Sequence, residues 1–261
     1  MSVEPVDLHF KEYGEGPPLL ILHGLLGSGA NWHTLSRRVF APKFTVYAVD
    51  LRNHGRSPHS DRFDYPSMVA DLEALVGRQG LASIRVLGHS MGGKVAMNFA
   101  LENPSLVHRL VVVDIAPRSY PRTHENLLDV LRAVDLSTVE SRNAVEQQLA
   151  AGIASRGVRQ FLLKNLTYDS DTQKYEWQVN LDAIADQYDR INEKVGNTWT
   201  FEGPALFVRG EDSDYIRDED LDDILHLFPV ARLESVRDAG HWVHADNPEA
   251  FGRVVLDFLL E

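Results

Sequence analysis

Apolar residues follow two rhythms along this chain. LLILHG (19–24), FTVYAVD (44–50), IRVLGHS (84–90) and RLVVVDIA (109–116) are short, nearly unbroken apolar runs bounded by turn residues. Such runs predict strands buried on both faces, as in a parallel sheet covered by helices. Between them, SMVADLEALVGRQG (67–80) and MGGKVAMNFALENP (91–104) carry apolar positions at helical spacing, and the second stops at Asn103-Pro104. VDLHFKEYGEG (6–16) alternates and predicts an edge strand entering a turn. Strand and helix alternate, which is the signature of βαβ units.

The rhythm breaks after residue 117. NLLDVLRAVD (126–135), SRNAVEQQLAAGI (141–153), VRQFLLKNL (158–166) and LDAIADQYDRINEKV (181–195) predict helices with no buried strand between them. The strand–helix alternation resumes with PALFVRG (204–210), a helix in 218–228, the strand ARLESV (231–236) and a final helix over 247–260. The expected fold class is therefore α/β, a mostly parallel, doubly wound sheet. Residues 1–117 and 201–261 are expected to form the core, with 118–200 inserted as a helical lid.

Charge and composition narrow the partners. The chain has 261 residues and a formal net charge of −12, which disfavours nucleic acid or an anionic membrane surface as a partner. It has no cysteine, so disulfides, thiolate metal sites and a cysteine nucleophile are excluded. No apolar run approaches the roughly 18 residues that span a bilayer. The first residues, MSVEPVDLHFKEYGEG, lack the apolar segment of a signal peptide, so a cytoplasmic location is expected. A small-molecule substrate remains. Nothing in the sequence sets the oligomeric state.

The chemistry concentrates in GHSMGGKV (88–95), which admits two readings. As a phosphate loop it offers Gly88, Gly93 and Lys94 between a strand and a helix, with Asp114 about 20 residues on as a magnesium aspartate. Val95, however, occupies the position of the magnesium-binding hydroxyl. The loop also follows the third buried strand, and not an early one. Lys94 is then expected to be an ordinary solvated helix residue. As G-x-S-x-G, the same stretch is a sharp strand-to-helix turn that exposes Ser90 as a nucleophile between small neighbours. A serine hydroxyl also needs a base and donors for the developing oxyanion. The glycine-rich turn after LLILHG points to the backbone N–H groups of Leu25 and Met91 as those donors. The glycine spacing there, Gly24, Gly27, Gly29, is not a dinucleotide fingerprint. For the base, His241 follows the last strand and precedes the last helix. His244 is expected to be a wall or surface residue. For the acid, two strand ends compete: Asp114 after VVV, and Asp212 in the turn GEDS (210–213), where the usual acid slot falls on Ser213.

HGLLGS, DLRNHGRS, GHSMGGK, VVDIAP and AGHWVHADNPE, in this order, make the chain resemble the α/β-hydrolase superfamily, and within it the bacterial YbfF-type esterases and their mitochondrial relatives. The resemblance implies a serine hydrolase for carboxylic esters or thioesters of small to medium acyl groups, working through an acyl-enzyme without metal or organic cofactor. It implies Ser90, His241 and Asp114 as the triad, because those esterases carry a serine at the strand-seven slot and use the strand-six aspartate. Asp212 stays as the alternative acid. Ser213 is expected to hydrogen-bond the acid or the histidine. His23, Arg52, Asn53 and His54 are expected to buttress the loops beside the site. Lid residues Leu127, Leu131, Phe161, Leu162 and Trp199 are expected mostly to pack. A carbon–carbon bond hydrolase uses the same triad and remains open.

Overall fold

The computed structural model describes residues 4–122, 125–196 and 199–261. Seven strands form the central sheet: β1 (Phe10–Tyr13), β2 (Pro18–Leu22), β3 (Thr45–Val49), β4 (Ile84–His89), β5 (Val107–Val113), and, after a hairpin of β6 (Leu166–Asp169) and β7 (Lys174–Trp177), β8 (Ala205–Gly210) and β9 (Arg232–Val236). Their order is β1-β3-β2-β4-β5-β8-β9. Only β1 runs antiparallel to its neighbour. The carboxyl ends of β2, β4, β5 and β8 therefore lie along one edge.

The unbroken apolar runs have a direct cause. Successive side chains of a strand point to opposite faces, and both faces are covered here. In β2, Leu19 and Ile21 join a cluster with Trp32, Phe40 and the final helix Pro248–Leu260. Leu20 and Leu22 join the opposite cluster, which includes Val95, Phe99, and Leu128, Leu149 and Ile184 from the segment between β5 and β8. That segment thus shares apolar packing with the sheet's second face.

Four expectations are corrected in detail. The segment after β5 is not purely helical, since β6 and β7 pair antiparallel. They are short, alternate in burial, and leave Tyr168 53% exposed, so no buried run announces them. The helix expected over 158–166 stops at Leu162, passes through a 3-10 turn and becomes β6. The helix expected over 181–195 breaks at Gln187 into Leu181–Asp186 and Tyr188–Asn192. The helix expected over 218–228 opens as a 3-10 turn at Asp218–Asp220. Among the described residues, no helix is long and apolar enough to cross a membrane.

Candidate active site

β4 ends at His89, and the helix Met91–Glu102 starts two residues later. The chain makes that turn at Ser90, at φ 53° and ψ −121°, a region that non-glycine residues rarely occupy. The turn closes only because its flanks lack side chains. A Cβ on Gly88 would collide with the backbone of Gly92, and one on Gly92 would collide with the carbonyls of Leu22 and His23. The Ser90 hydroxyl is thereby left at the carboxyl edge of the sheet.

Two other strand ends converge on it. His241, between β9 and the last helices, places Nε2 3.0 Å from the Ser90 Oγ. Its Nδ1 lies 2.8 Å from Oδ2 of Asp114, which follows β5 and is fully buried. The parallel register of β5 and β8 sets that carboxylate: the Asp114 N–H donates to Val208 O, and Oδ1 accepts from the Gly210 N–H at 3.1 Å. Ser213 Oγ donates to Oδ2 at 2.5 Å. Asp212 is exposed, and its N–H donates to the Ala239 carbonyl. No hydrogen bond between Asp212 and His241 occurs among the described residues. The structure thus joins Ser90, His241, Asp114 and Ser213, and leaves Asp212 out. Tyr215 stacks on the His241 ring at 3.8 Å, and the His89 Nε2–H donates to the His241 carbonyl at 2.8 Å.

The loop carrying Leu25 is clamped at its neighbour. The Leu26 N–H donates to His54 Nε2 at 3.1 Å, and the Leu26 carbonyl accepts from Asn165 Nδ2 at 2.7 Å. His54 Nδ1 donates to Arg52 O, so the ring is neutral with its proton on Nδ1. Burial, reinforced by His23, lowers its pKa to about 3. His23, held below its ordinary pKa by burial, makes the same kind of bridge between Gly24 O and the Leu51 N–H. Arg52 pairs bidentately with buried Asp71 at 2.6 and 2.7 Å. The Asn53 carbonyl accepts the Asn180 N–H at 2.9 Å, tying the segment between β5 and β8 to this corner. Met91 opens its helix, so its N–H has no intrahelical acceptor. Leu25 and Ser90 line a cavity of about 470 Å³ together with His241.

That geometry belongs to a recognisable architecture. The sequence profile of the α/β hydrolase fold matches residues 17–248. The chain belongs to the α/β-hydrolase family. This α/β hydrolase is 39% identical to the sn-1-specific diacylglycerol lipase ABHD11 of Danio rerio, over 99% of this chain and 84% of that one. It is 35% identical to the esterase YbfF of Escherichia coli K12, over 93% and 92%. A solved structure described as a marine microorganism esterase superposes with a TM-score of 0.94 at 41% identity, covering 97% of this chain and 99% of the other.

Two features of this α/β hydrolase depart from the reading of its sequence. Lys94 is not solvated: it is 1% exposed, and its ammonium donates to the Glu193 carbonyl at 2.5 Å. Leu127, Phe161 and Leu162 line the large cavity, where packing was expected; Leu131 is buried in the core, and Trp199 is 67% exposed. His244 takes the first of its two expected places, in the cavity wall: it is buried and stacked on Trp32 at 4.2 Å, and burial lowers its pKa to about 3. Asn165, His89 and Tyr215 went unnoticed, because no local pattern marks them. Among the described residues, no group of three or more His, Asp or Glu side chains is arranged to hold a metal ion.

Proposed function

We propose that the protein is a serine hydrolase of carboxylic esters, with Ser90, His241 and Asp114 as its triad. The observation that carries this reading is the continuous relay from the Ser90 Oγ to His241 Nε2 at 3.0 Å and from Nδ1 to Asp114 at 2.8 Å, at the floor of a 470 Å³ cavity. His241 takes the hydroxyl proton as Ser90 attacks the acyl carbon, and Asp114 holds the imidazole tautomer and stabilises its charged form. The N–H groups of Leu25 and Met91 hold the oxyanion. His241 then protonates the leaving oxygen. Water, deprotonated by the same nitrogen, releases the acyl group from Ser90. Thioesters fit the same steps. The names of the lipase and esterase relatives support ester chemistry, and the cavity is of a size that suits small to medium substrates. Residues 118–200 serve as a lid, contributing Leu127 and Phe161 to the cavity wall. Labelling with a fluorophosphonate probe tests the assignment. The wild type is expected to label and Ser90→Ala to remain dark; equal labelling of the two would remove Ser90 from the mechanism.

A further inference from the structure

Lys94 stands one helical turn after Ser90, so the two residues share a helix face. Its ammonium lies over the rings of Tyr120, 4.9 Å from the centroid, and Tyr65, at 6.0 Å. None of the ion pairs among the described residues includes it. One carbonyl and two ring faces satisfy only part of a group with three donors and a full charge. Burying such a group without a counter-ion is unfavourable. The same lysine borders a second compartment, of about 40 Å³, which Ser90, Leu25 and Met91 also line.

The two cavities therefore share Ser90 and Leu25 in their walls, and the chemistry assigns them different arms of an ester. His241 lines the large cavity and not the small one. The leaving oxygen takes its proton from that imidazole. The alcohol arm accordingly lies on the large-cavity side, and the acyl arm is directed to the compartment of Lys94. About 40 Å³ holds only a few water-sized centres, which suits a short chain.

Resting on the serine-hydrolase reading, we propose that this compartment binds a short acyl chain ending in a carboxylate, with Lys94 as its counter-ion. The preferred substrates are then monoesters of small dicarboxylic acids. Burial lowers the Lys94 pKa to about 7; Arg118 adds to that effect and Glu193 opposes it. Arg118 is itself paired with Asp220 at 2.8 Å. Among the described residues, the other titratable groups that line this compartment are the phenols of Tyr65, Tyr120, Tyr188 and Tyr215, the first two with their rings against the ammonium. Burial raises the pKa of Tyr65 and Tyr120, which keeps them neutral. A bound carboxylate favours the charged ammonium. Above pH 7 binding must take up a proton, so KM for the carboxylate-bearing ester rises there.

The test compares p-nitrophenyl butyrate with mono-p-nitrophenyl succinate, which share leaving group and acyl length and differ in one terminal group. The readout is the ratio of their kcat/KM values, in which changes common to both esters cancel. In the wild type the ratio is expected to favour the succinate. In Lys94→Met it is expected to fall by about 10- to 100-fold, the range of a charged hydrogen bond. The wild-type ratio is also expected to fall as pH rises from about 6 to 8.5, since ionisations that affect both esters alike cancel in it. A wild-type ratio at or below one, or an unchanged ratio in Lys94→Met, overturns the proposal. Should the variant fail to fold, a wild-type ratio flat across that pH range overturns it. Butyrate turnover without a succinate preference sinks the Lys94 assignment alone, whereas turnover of neither ester sinks the hydrolase reading beneath it.

Discussion

Replacing Asp114 by asparagine changes one atom of the carboxylate and reverses a hydrogen bond. Three donors converge on its two oxygens: the Gly210 N–H on Oδ1, and Ser213 Oγ–H and His241 Nδ1–H on Oδ2. An amide has only one oxygen. The Gly210 N–H is a fixed backbone donor, so the amide oxygen stays at Oδ1, since the flipped amide would set two donors face to face. The NH₂ group then occupies the place of Oδ2 and donates to His241 Nδ1. The imidazole proton moves to Nε2, the nitrogen 3.0 Å from the Ser90 Oγ. That nitrogen no longer has a lone pair to accept the serine proton. The equivalent change in a serine protease triad lowers kcat about 10⁴-fold, or about 5.5 kcal/mol of barrier. Hydrolysis of p-nitrophenyl butyrate by Asp114→Asn, with folding checked by circular dichroism, is expected to fall by that order. Asp212→Asn, at an exposed position, is expected to stay within about twofold of wild type. A loss under about tenfold at Asp114, or a larger loss at Asp212, refutes the tautomer argument.

Two further outcomes concern stability. Arg52→Met leaves the Asp71 carboxylate buried without its guanidinium, at a cost of about 3–5 kcal/mol. Urea unfolding should show this, and the double change with Asp71→Leu should recover most of it; no recovery would place the loss outside the ion pair. The second is a pH dependence. His54 and His244 are held at about 3 by burial, against about 6.5 in the unfolded chain. Below pH 6.5 the unfolded state takes up protons that the folded state refuses, so stability falls as pH falls. Between pH 6.5 and 5.5 each histidine removes about 1 kcal/mol, about 2 together. An unfolding free energy that is flat across this window contradicts their burial as neutral rings.

The strands and the turn at Ser90 were legible because their causes are local. A strand covered on both faces must be apolar throughout, and a turn too tight for a Cβ must carry Gly88 and Gly92. The choice between Asp114 and Asp212 was not local. It rests on the pairing of β5 with β8, which sets the Asp114 carboxylate beside the Gly210 N–H across 96 residues of chain. Lys94 was misread for a similar reason. On a lone helix its position is solvated, and the groups that bury it include Glu193, 99 residues away. Asn165, which clamps Leu26 across 139 residues, left no local trace at all. The β6–β7 hairpin was missed because two short, half-exposed strands bury too little to need an apolar run.

The backbone bend at Ser90 also bears on how activity is lost. Holding a non-glycine residue at φ 53° and ψ −121° costs about 1–3 kcal/mol. Glycine adopts such angles with less strain, so Ser90→Gly removes the proposed nucleophile and relaxes the turn in a single step. On the proposed mechanism, a sturdier, inert protein lies one substitution away.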